Sequence, residues 1–240
     1  MRLDVALTPA RLDREAIPKS TVLVVDVLRA STTMITALGN GCTAILPVAD
    51  PGDARQQVGT MHPRGLLAGE RRGQTIAGFD LGNSPLEVTP ARVGGRTLVF
   101  TTSNGTAALL TVRHSPAVGV AGFVNLGAAS SWAVGGGRDV IVVCAGERGG
   151  ISLEDQVCAG LLVDRMLREE PRAETTAAAR DALEVGRGYG KAVGRLAENS
   201  PWARHLARAG RGDDVAACLV LDTTTLVPVL QIDKVVVGSR

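Results

Sequence analysis

Aromatic residues are scarce in this sequence, since Phe, Trp and Tyr together make up only 2% of its 240 residues. A hydrophobic core must therefore be packed from Val, Leu, Ile and Ala, and the overall hydrophobic content of 45% is enough for a large one. No basic run is interleaved with aromatic side chains, and the formal net charge is only +2. We therefore expect no nucleic-acid partner.

Long apolar runs and paired cysteines are also missing. No apolar run approaches the ~20 residues of a membrane span. The four cysteines form no Cys-x-x-Cys pair, and most stand in apolar surroundings, which is typical of reduced thiols. Met1 to Asp4 already read as part of a first strand, so we predict no signal peptide. The sequence thus predicts a soluble, cytoplasmic protein with no membrane partner.

Several catalytic signatures are absent as well. None of the three histidines stands in a setting typical of a Ser-His-Asp triad, and no Cys/His set has zinc spacing. Cys144 is followed by Arg148 at Cys-x₃-Arg, whereas a cysteine phosphatase needs Cys-x₅-Arg. Asp26 lacks the second acid of the haloacid dehalogenase Asp-x-Asp, and no P-loop is present. What remains is rich in acids and contains arginines, which suits Mg²⁺ and a phosphorylated acid.

Three segments share one plan: an apolar strand, a short polar turn and the start of a helix. They cover residues 21–38, 96–112 and 139–167. Continuous Val/Ile/Leu runs indicate strands buried on both faces. We therefore predict a layered α/β/α fold with a mostly parallel or mixed sheet, built over residues 1–240 as a single domain or as two interleaved α/β halves. We also expect a strand at 216–221 and a helical region at 173–210 that breaks at Gly186, Gly188, Gly190 and Ser200–Pro201.

The three polar turns carry the candidate chemistry, because ligands of open α/β sheets bind beyond the carboxyl ends of the strands. We expect the turns at 26–33, 101–106 and 144–155 to converge on one site. In the first turn, Asp26 is suited to a divalent metal and Arg29 to a phosphate. An Asp26–Arg29 salt bridge with a capping hydroxyl is the alternative.

The other two turns and one loop add further candidates. The turn 101–106 could bring backbone amides to a phosphate, or could simply cap a helix. Ser152 and Asp155 form a capping-box pattern, which leaves Glu154 unexplained. The loop 68–88 is polar and rich in glycine, as functional loops often are, although a solvated Ω-loop would also have that composition. Between its glycines it holds Glu70, Arg71, Arg72, Asp80, Asn83 and Ser84.

Four sequence blocks resemble the motifs of the 2-phosphosulfolactate phosphatase (ComB-like) family. They are VVDVLRASTTMITAL, GERRGQTIAGFDLGNSPLE, TTSNGTAAL and CAGERGGISLEDQVCAG, and they occur in the family's order along nearly the whole chain. The later DDVAAC and LVPVL are also similar to the family's C-terminal end. Ser103 departs from the Thr expected there, but a hydroxyl remains.

The resemblance implies an α/β fold that is not of the haloacid dehalogenase type and a Mg²⁺-dependent phosphatase. The family reaction hydrolyses (2R)-2-phospho-3-sulfolactate to 3-sulfolactate and phosphate, a step towards coenzyme M. That substrate carries a phosphate, a carboxylate and a sulfonate, so its site needs several cationic or N–H-rich subsites. We favour direct attack by water, with a phosphoryl-Asp26 intermediate left open.

Residue roles follow from the motifs and the resemblance together. The candidate catalytic residues are Asp26, Arg29, Glu154 and Asp155. The candidate substrate-binding residues are Ser31, Thr32, Arg71, Asn83, Ser84, Thr102, Ser103, Asn104, Gly105 and Thr106. The candidate Mg²⁺ ligands are Asp26, Glu70, Asp80, Glu154 and Asp155.

Two other functions stay open from sequence alone. One is a phosphatase of the same fold that acts on another small phosphorylated carboxylic acid. The other is a catalytically silent anion-binding protein, which would not need so many carboxylates. The expected partner is a small anionic phosphorylated substrate, and a homodimer is an oligomeric state that we keep open.

Overall fold

The computed structural model describes residues 1–61 and 63–238. The strands are β1 Arg2–Ala6, β2 Ser20–Val25, β3 Ala44–Pro47, β4 Gly65–Arg71, β5 Gln74–Thr75, β6 Thr97–Thr101, β7 Ala117–Ala121, β8 Asp139–Cys144, β9 Glu174–Thr175, β10 Pro228–Gln231 and β11 Lys234–Val237. The α-helices are α1 Ala30–Gly39, α2 Pro51–Gly59, α3 Pro90–Val93, α4 Gly105–Val112, α5 Leu126–Gly135, α6 Leu153–Glu169, α7 Ala177–Tyr189, α8 Leu196–Asn199, α9 Pro201–Leu206 and α10 Gly212–Cys218.

All of these strands form one mixed sheet in the order β5-β4-β6-β3-β11-β10-β7-β2-β8-β1-β9. Two parallel groups, β4-β6-β3 and β7-β2-β8-β1-β9, are joined by the antiparallel β10–β11 hairpin. The predicted mostly parallel or mixed sheet is therefore confirmed. Since β5 and β9 are free edges in the described residues, the sheet is open and not a closed barrel.

Apolar packing covers both faces of the sheet, as expected for an α/β/α arrangement. Successive residues of β2 point to opposite faces. Leu23 and Val25 pack with α5, α6 and α7 in one cluster. Val22 and Val24 pack with α1, α4 and residues of β3 and β6 in another. The second cluster holds residues of both parallel groups, so α1 and α4 pack against both of them.

Strand register places the predicted polar turns close together. Val25 lies beside Ala121 of β7 and Cys144 of β8, so these strands end level with one another. The end of β6 reaches the same place through α4, whose first residue, Gly105, lies against Asp26. A Cβ at Gly105 would be 2.6 Å from Asp26 Oδ2. The expected convergence of the three turns is therefore found in the structure.

Two expectations about secondary structure were wrong. Residues 216–221 are not a strand, because Val215, Cys218 and Leu219 are buried at helical spacing at the end of α10. Gly186 and Gly188 do not break α7, which continues to Tyr189. The predicted break at Ser200–Pro201 is present between α8 and α9. In the described part of the chain, no helix combines the length and apolarity needed to cross a membrane.

Candidate active site

A cavity of about 550 Å³ opens beyond the ends of β2, β6 and β8. Its walls come from the three polar turns, the loop after β4 and the start of α9. The lining residues are Asp26, Leu28, Arg29, Glu70, Arg72, Gly73, Asn83, Ser103, Asn104, Glu147, Arg148 and Trp202. Three acids and three arginines thus surround one space, which suits a charged ligand.

Asp26 lies at the base of this cavity and is only 8% exposed. Its Oδ1 accepts a hydrogen bond from the Ala30 N–H at 3.2 Å, and its own N–H donates to Ser31 Oγ at 2.9 Å. Burial raises the pKa of this carboxyl to about 7, and the negative charges of Glu70 and Glu154 act in the same direction. The site therefore gathers acids that repel one another and favour a cation.

Arg29 is buried at the cavity wall, but its salt-bridge partner is not Asp26. Its Nη1 donates to Asp214 Oδ2 at 2.5 Å, and its Nη2 donates to the Gly73 carbonyl at 3.0 Å. The other Asp214 oxygen accepts from Ser84 Oγ at 2.5 Å. The guanidinium is therefore held in one orientation, with further N–H donors left for a ligand.

Glu70 ties the loop after β4 to the turn after β6. Its Oε2 accepts from the Gly73 N–H at 2.7 Å, and its Oε1 accepts from the Ser103 N–H at 2.8 Å. Arg71 points away from the cavity, and its guanidinium donates to Glu70 O, Ala49 O and Thr101 Oγ1. The next residue, Arg72, lines the cavity instead.

The turn after β6 is built by paired hydroxyl contacts. The Thr106 N–H donates to Thr102 Oγ1 and the Thr102 N–H donates to Thr106 Oγ1, each at 3.1 Å. Both threonines are buried, so they shape the turn rather than line the cavity. The turn presents Ser103 and Asn104 to the cavity at the N-terminus of α4.

Glu154 and Asp155 lie behind Asp26 and do not line the cavity. Asp155 joins two strand ends, because Oδ1 accepts from the Val27 N–H at 2.8 Å and Oδ2 from the Gly146 N–H at 3.1 Å. Burial raises the pKa of both carboxyls. Glu154 Oε2 is buried and has no hydrogen-bond partner within residues 1–61 and 63–238.

The remaining candidates divide between the cavity and the surrounding structure. Asn83 lines the cavity, and its Oδ1 is buried without a partner in the described residues. Thr32 is buried and donates to the Val27 carbonyl at 3.2 Å. Asp80 is exposed outside the cavity, where its Oδ2 accepts from the Leu67 N–H at 2.8 Å. Because that bond holds Asp80 beside β4, the structure does not bring it to the other candidate metal ligands.

Cys144 is fully buried at the end of β8. Burial and the nearby Asp155 raise the pKa of its thiol well above the ordinary value. A thiol kept neutral in this way is a poor nucleophile. Burial of Cys144 and its Cys-x₃-Arg spacing to Arg148 both indicate that this thiol is not a phosphatase nucleophile.

Comparison with known proteins adds a family to this geometry. The sequence profile of the 2-phosphosulpholactate phosphatase family matches residues 6–233. The chain belongs to this family. It is a family of phosphoric monoester hydrolases, and the resemblance found in the motif blocks is confirmed.

Curated relatives in this family carry the name "Probable 2-phosphosulfolactate phosphatase". The protein from Symbiobacterium thermophilum is 39% identical over 215 residues, which are 89% of this chain and 92% of the relative. The Synechococcus sp. (strain RCC307) protein is 38% identical over 95% of this chain and 96% of its own. The Clostridium novyi protein is 31% identical over 98% and 99%.

The acids of the cavity fit the way in which proteins bind Mg²⁺. In residues 1–61 and 63–238, no three His, Cys, Asp or Glu side chains form a cluster that could hold a metal by themselves. Mg²⁺ does not require such a cage, because it keeps several waters and uses one or two carboxylates together with substrate phosphate. Asp26 and Glu70 both line the cavity, and the negative charge of Glu70 helps to raise the pKa of Asp26, so these two carboxylates are the ones that would hold the ion.

Several residues of this family member's cavity were not among the predicted site residues. They are Leu28, Arg72, Gly73, Glu147, Arg148 and Trp202, with Asp214 directly behind Arg29. Arg72 and Glu147 lie inside motif blocks, so the sequence indicated the segments that contain them but not these residues. Asp214 lies 185 residues from Arg29 in the chain, and no local pattern could have joined them.

Proposed function

We propose that the protein hydrolyses (2R)-2-phospho-3-sulfolactate to 3-sulfolactate and phosphate in a Mg²⁺-dependent reaction of the coenzyme M biosynthesis type. Membership of the family supports the reaction. The single observation that supports the site is the cavity beyond β2, β6 and β8, where Asp26, Glu70 and Arg29 meet around about 550 Å³.

The charge of the cavity supports the need for a cation. Its three acids balance its three arginines, and Asp214 neutralises Arg29 from behind. The carboxylates of the cavity would repel a substrate that carries a phosphate, a carboxylate and a sulfonate. A divalent ion offsets that repulsion, and it would be held by Asp26 and Glu70. Bound Mg²⁺ neutralises charge on a transferring phosphoryl group and lowers the pKa of a bound water.

The chain's own groups would bind and orient the phosphate. Arg29 offers the guanidinium N–H groups that are not used by Asp214 and Gly73. The N-terminus of α4 beside Asn104 adds the partial positive charge of a helix start, which favours an anion. In the proposed step a water oxygen bonds to phosphorus. The bond between phosphorus and the oxygen on C2 of sulfolactate breaks, and a proton passes to that leaving oxygen. Attack by Asp26 itself, followed by hydrolysis of the phosphoryl group, is the alternative route.

The setting that we propose for the reaction is the cytoplasm. The four cysteines are free and buried, which suits a reducing compartment. The proposed partner is the small anionic substrate alone, without nucleic acid or membrane. Whether the active form is a homodimer is decided by measuring its mass in solution.

Phosphate release from purified protein tests the proposal. We expect kcat/KM for 2-phospho-3-sulfolactate to exceed that for 2-phospholactate and 2-phosphoglycolate by about tenfold or more, since a charged contact contributes on the order of 1.5–3 kcal/mol. Excess EDTA should abolish turnover, and excess Mg²⁺ should restore it. Equal rates with EDTA and Mg²⁺ would refute the metal requirement. A higher kcat/KM for another phosphorylated acid would favour the alternative substrate.

A further inference from the structure

Two arginines in the cavity wall, Arg72 and Arg148, share an unusual backbone conformation. Their φ angles are +54° and +49°. Left-handed backbone is uncommon for residues other than glycine, asparagine and aspartate, and it tends to cluster at ligand-binding sites. In residues 1–61 and 63–238, the non-glycine residues with positive φ are Arg72, Arg148, Asp222, Ile232 and Asp233. The two arginines of this set line the same cavity.

Each arginine lies in a tight turn that faces the cavity. Arg72 occupies the turn between β4 and β5, where its N–H donates to Ser103 Oγ at 3.4 Å. Arg148 lies in a turn after β8 that is closed by reciprocal backbone bonds between Glu147 and Gly150 at 2.9 and 2.8 Å. The backbone of both turns therefore directs a long cationic side chain into the cavity wall.

Arg148 is also connected to the segment that carries Arg29. Its guanidinium carbon lies 5.9 Å from the ring centroid of Trp202, which is a cation–π distance. The Trp202 Nε1–H donates to the Leu28 carbonyl at 3.0 Å. Trp202 thus links the exposed guanidinium of Arg148 to the backbone next to the buried Arg29.

The charges of these arginines remain free for a ligand, in contrast to that of Arg29. Arg29 is neutralised by Asp214 in a buried pair. Arg72 forms no salt bridge within the described residues. Arg148 has only a 3.8 Å contact with Glu147, and its side chain is 71% exposed, so solvent screens that pair.

We propose that Arg72 and Arg148 are the specificity-determining residues of the site and bind the carboxylate and the sulfonate that are not transferred. This inference rests on the proposed function, which supplies a substrate with those groups. The planar guanidinium matches the paired oxygens of both acids. The buried part of the cavity, with Asp26, Glu70 and Arg29, is then left for the phosphate.

Calorimetric binding of 3-sulfolactate and of lactate tests this assignment without requiring turnover. Lactate keeps the carboxylate and lacks the sulfonate. The wild type should bind 3-sulfolactate at least about tenfold more tightly than lactate. Arg72→Gln and Arg148→Gln should each weaken 3-sulfolactate binding by a similar factor, and the variant that has lost the sulfonate contact should no longer distinguish the two ligands. Arg113→Gln, an exposed arginine at the far end of α4, has the same charge change and should bind as the wild type does.

Melting curves show whether each variant is folded. The Arg72→Lys and Arg148→Lys variants separate the effect of charge from that of the paired donors. Lysine keeps the charge but loses the paired donors, so its binding should fall between those of arginine and glutamine. Wild-type affinity in both glutamine variants, or equal affinity of the wild type for the two ligands, would overturn the inference. A wild type that binds 3-sulfolactate selectively but releases no phosphate from phosphosulfolactate would refute the proposed function instead.

Discussion

Asp214 controls the position of Arg29, although it belongs to α10 near the other end of the chain. It accepts from Arg29 Nη1 and Ser84 Oγ, and all three side chains are buried. The salt bridge considered between Asp26 and Arg29 is therefore replaced by one that leaves Asp26 free to face the cavity. This arrangement leaves the carboxylate of Asp26 available for a metal and fixes the orientation of the Arg29 guanidinium.

Replacing Asp214 should destabilise the protein. Asp214→Asn leaves the buried charge of Arg29 without its counter-ion, and breaking a buried pair in this way costs ~3–5 kcal/mol. Denaturant unfolding measures the loss. Asp213→Asn is the matched control, because Asp213 is the exposed neighbour of Asp214. Equal losses in the two variants would show that the Arg29–Asp214 pair contributes little.

Two adjacent arginines, Arg71 and Arg72, differ in their position although the sequence does not distinguish them. The loop 68–88, in which we expect site residues, brings Glu70 and Asn83 to the cavity. We predict Arg71 as the anion-binding arginine of this loop, yet it is Arg72 that lines the cavity. Adjacent residues of a strand point to opposite faces, and the left-handed turn at Arg72 changes direction again. Nothing in the residue types distinguishes the two arginines.

Among the elements, α6 and α7 approach each other through two glycines. A Cβ at Gly160 would lie 1.9 Å from the Ala182 carbonyl oxygen, and a Cβ at Gly186 would lie 2.8 Å from the Gly160 carbonyl carbon. The sequence predicts a helix break at Gly186, because glycine disfavours helices. Here the absent side chain serves close helix packing, which only the tertiary structure reveals.

The two glycines inside α7 should respond in opposite ways to alanine. Gly186→Ala inserts a methyl group against backbone atoms and should cost roughly 1–3 kcal/mol of unfolding free energy. Gly188→Ala meets no atom within 4 Å, so the better helix propensity of alanine should stabilise the protein by about 0.5–1 kcal/mol. Denaturant unfolding of both variants checks the difference. The close-packing account fails if the two substitutions shift stability in the same direction.

Across the whole molecule, local patterns predicted the strand–turn–helix units but not their assembly. The run from β2 to α1, with its turn around Asp26, follows from apolar runs and polar turn residues. The insertion of β10 and β11 between two parallel groups depends on pairing across the chain, such as Val229 with Gly119 and Val235 with Ile45. Such pairing has no local signature in the sequence.

The most direct test of the account is a comparison of Asp26→Asn with the wild type. Asparagine keeps the shape and can still accept the Ala30 N–H bond, but it removes the negative charge that Mg²⁺ requires. We predict that the variant melts within a few degrees of the wild type in EDTA, that it loses Mg²⁺-dependent phosphate release from 2-phospho-3-sulfolactate, and that added Mg²⁺ restores little of it. If Asp26→Asn melts far below the wild type while its folded fraction turns over normally, Asp26 is a structural residue and the active site lies elsewhere.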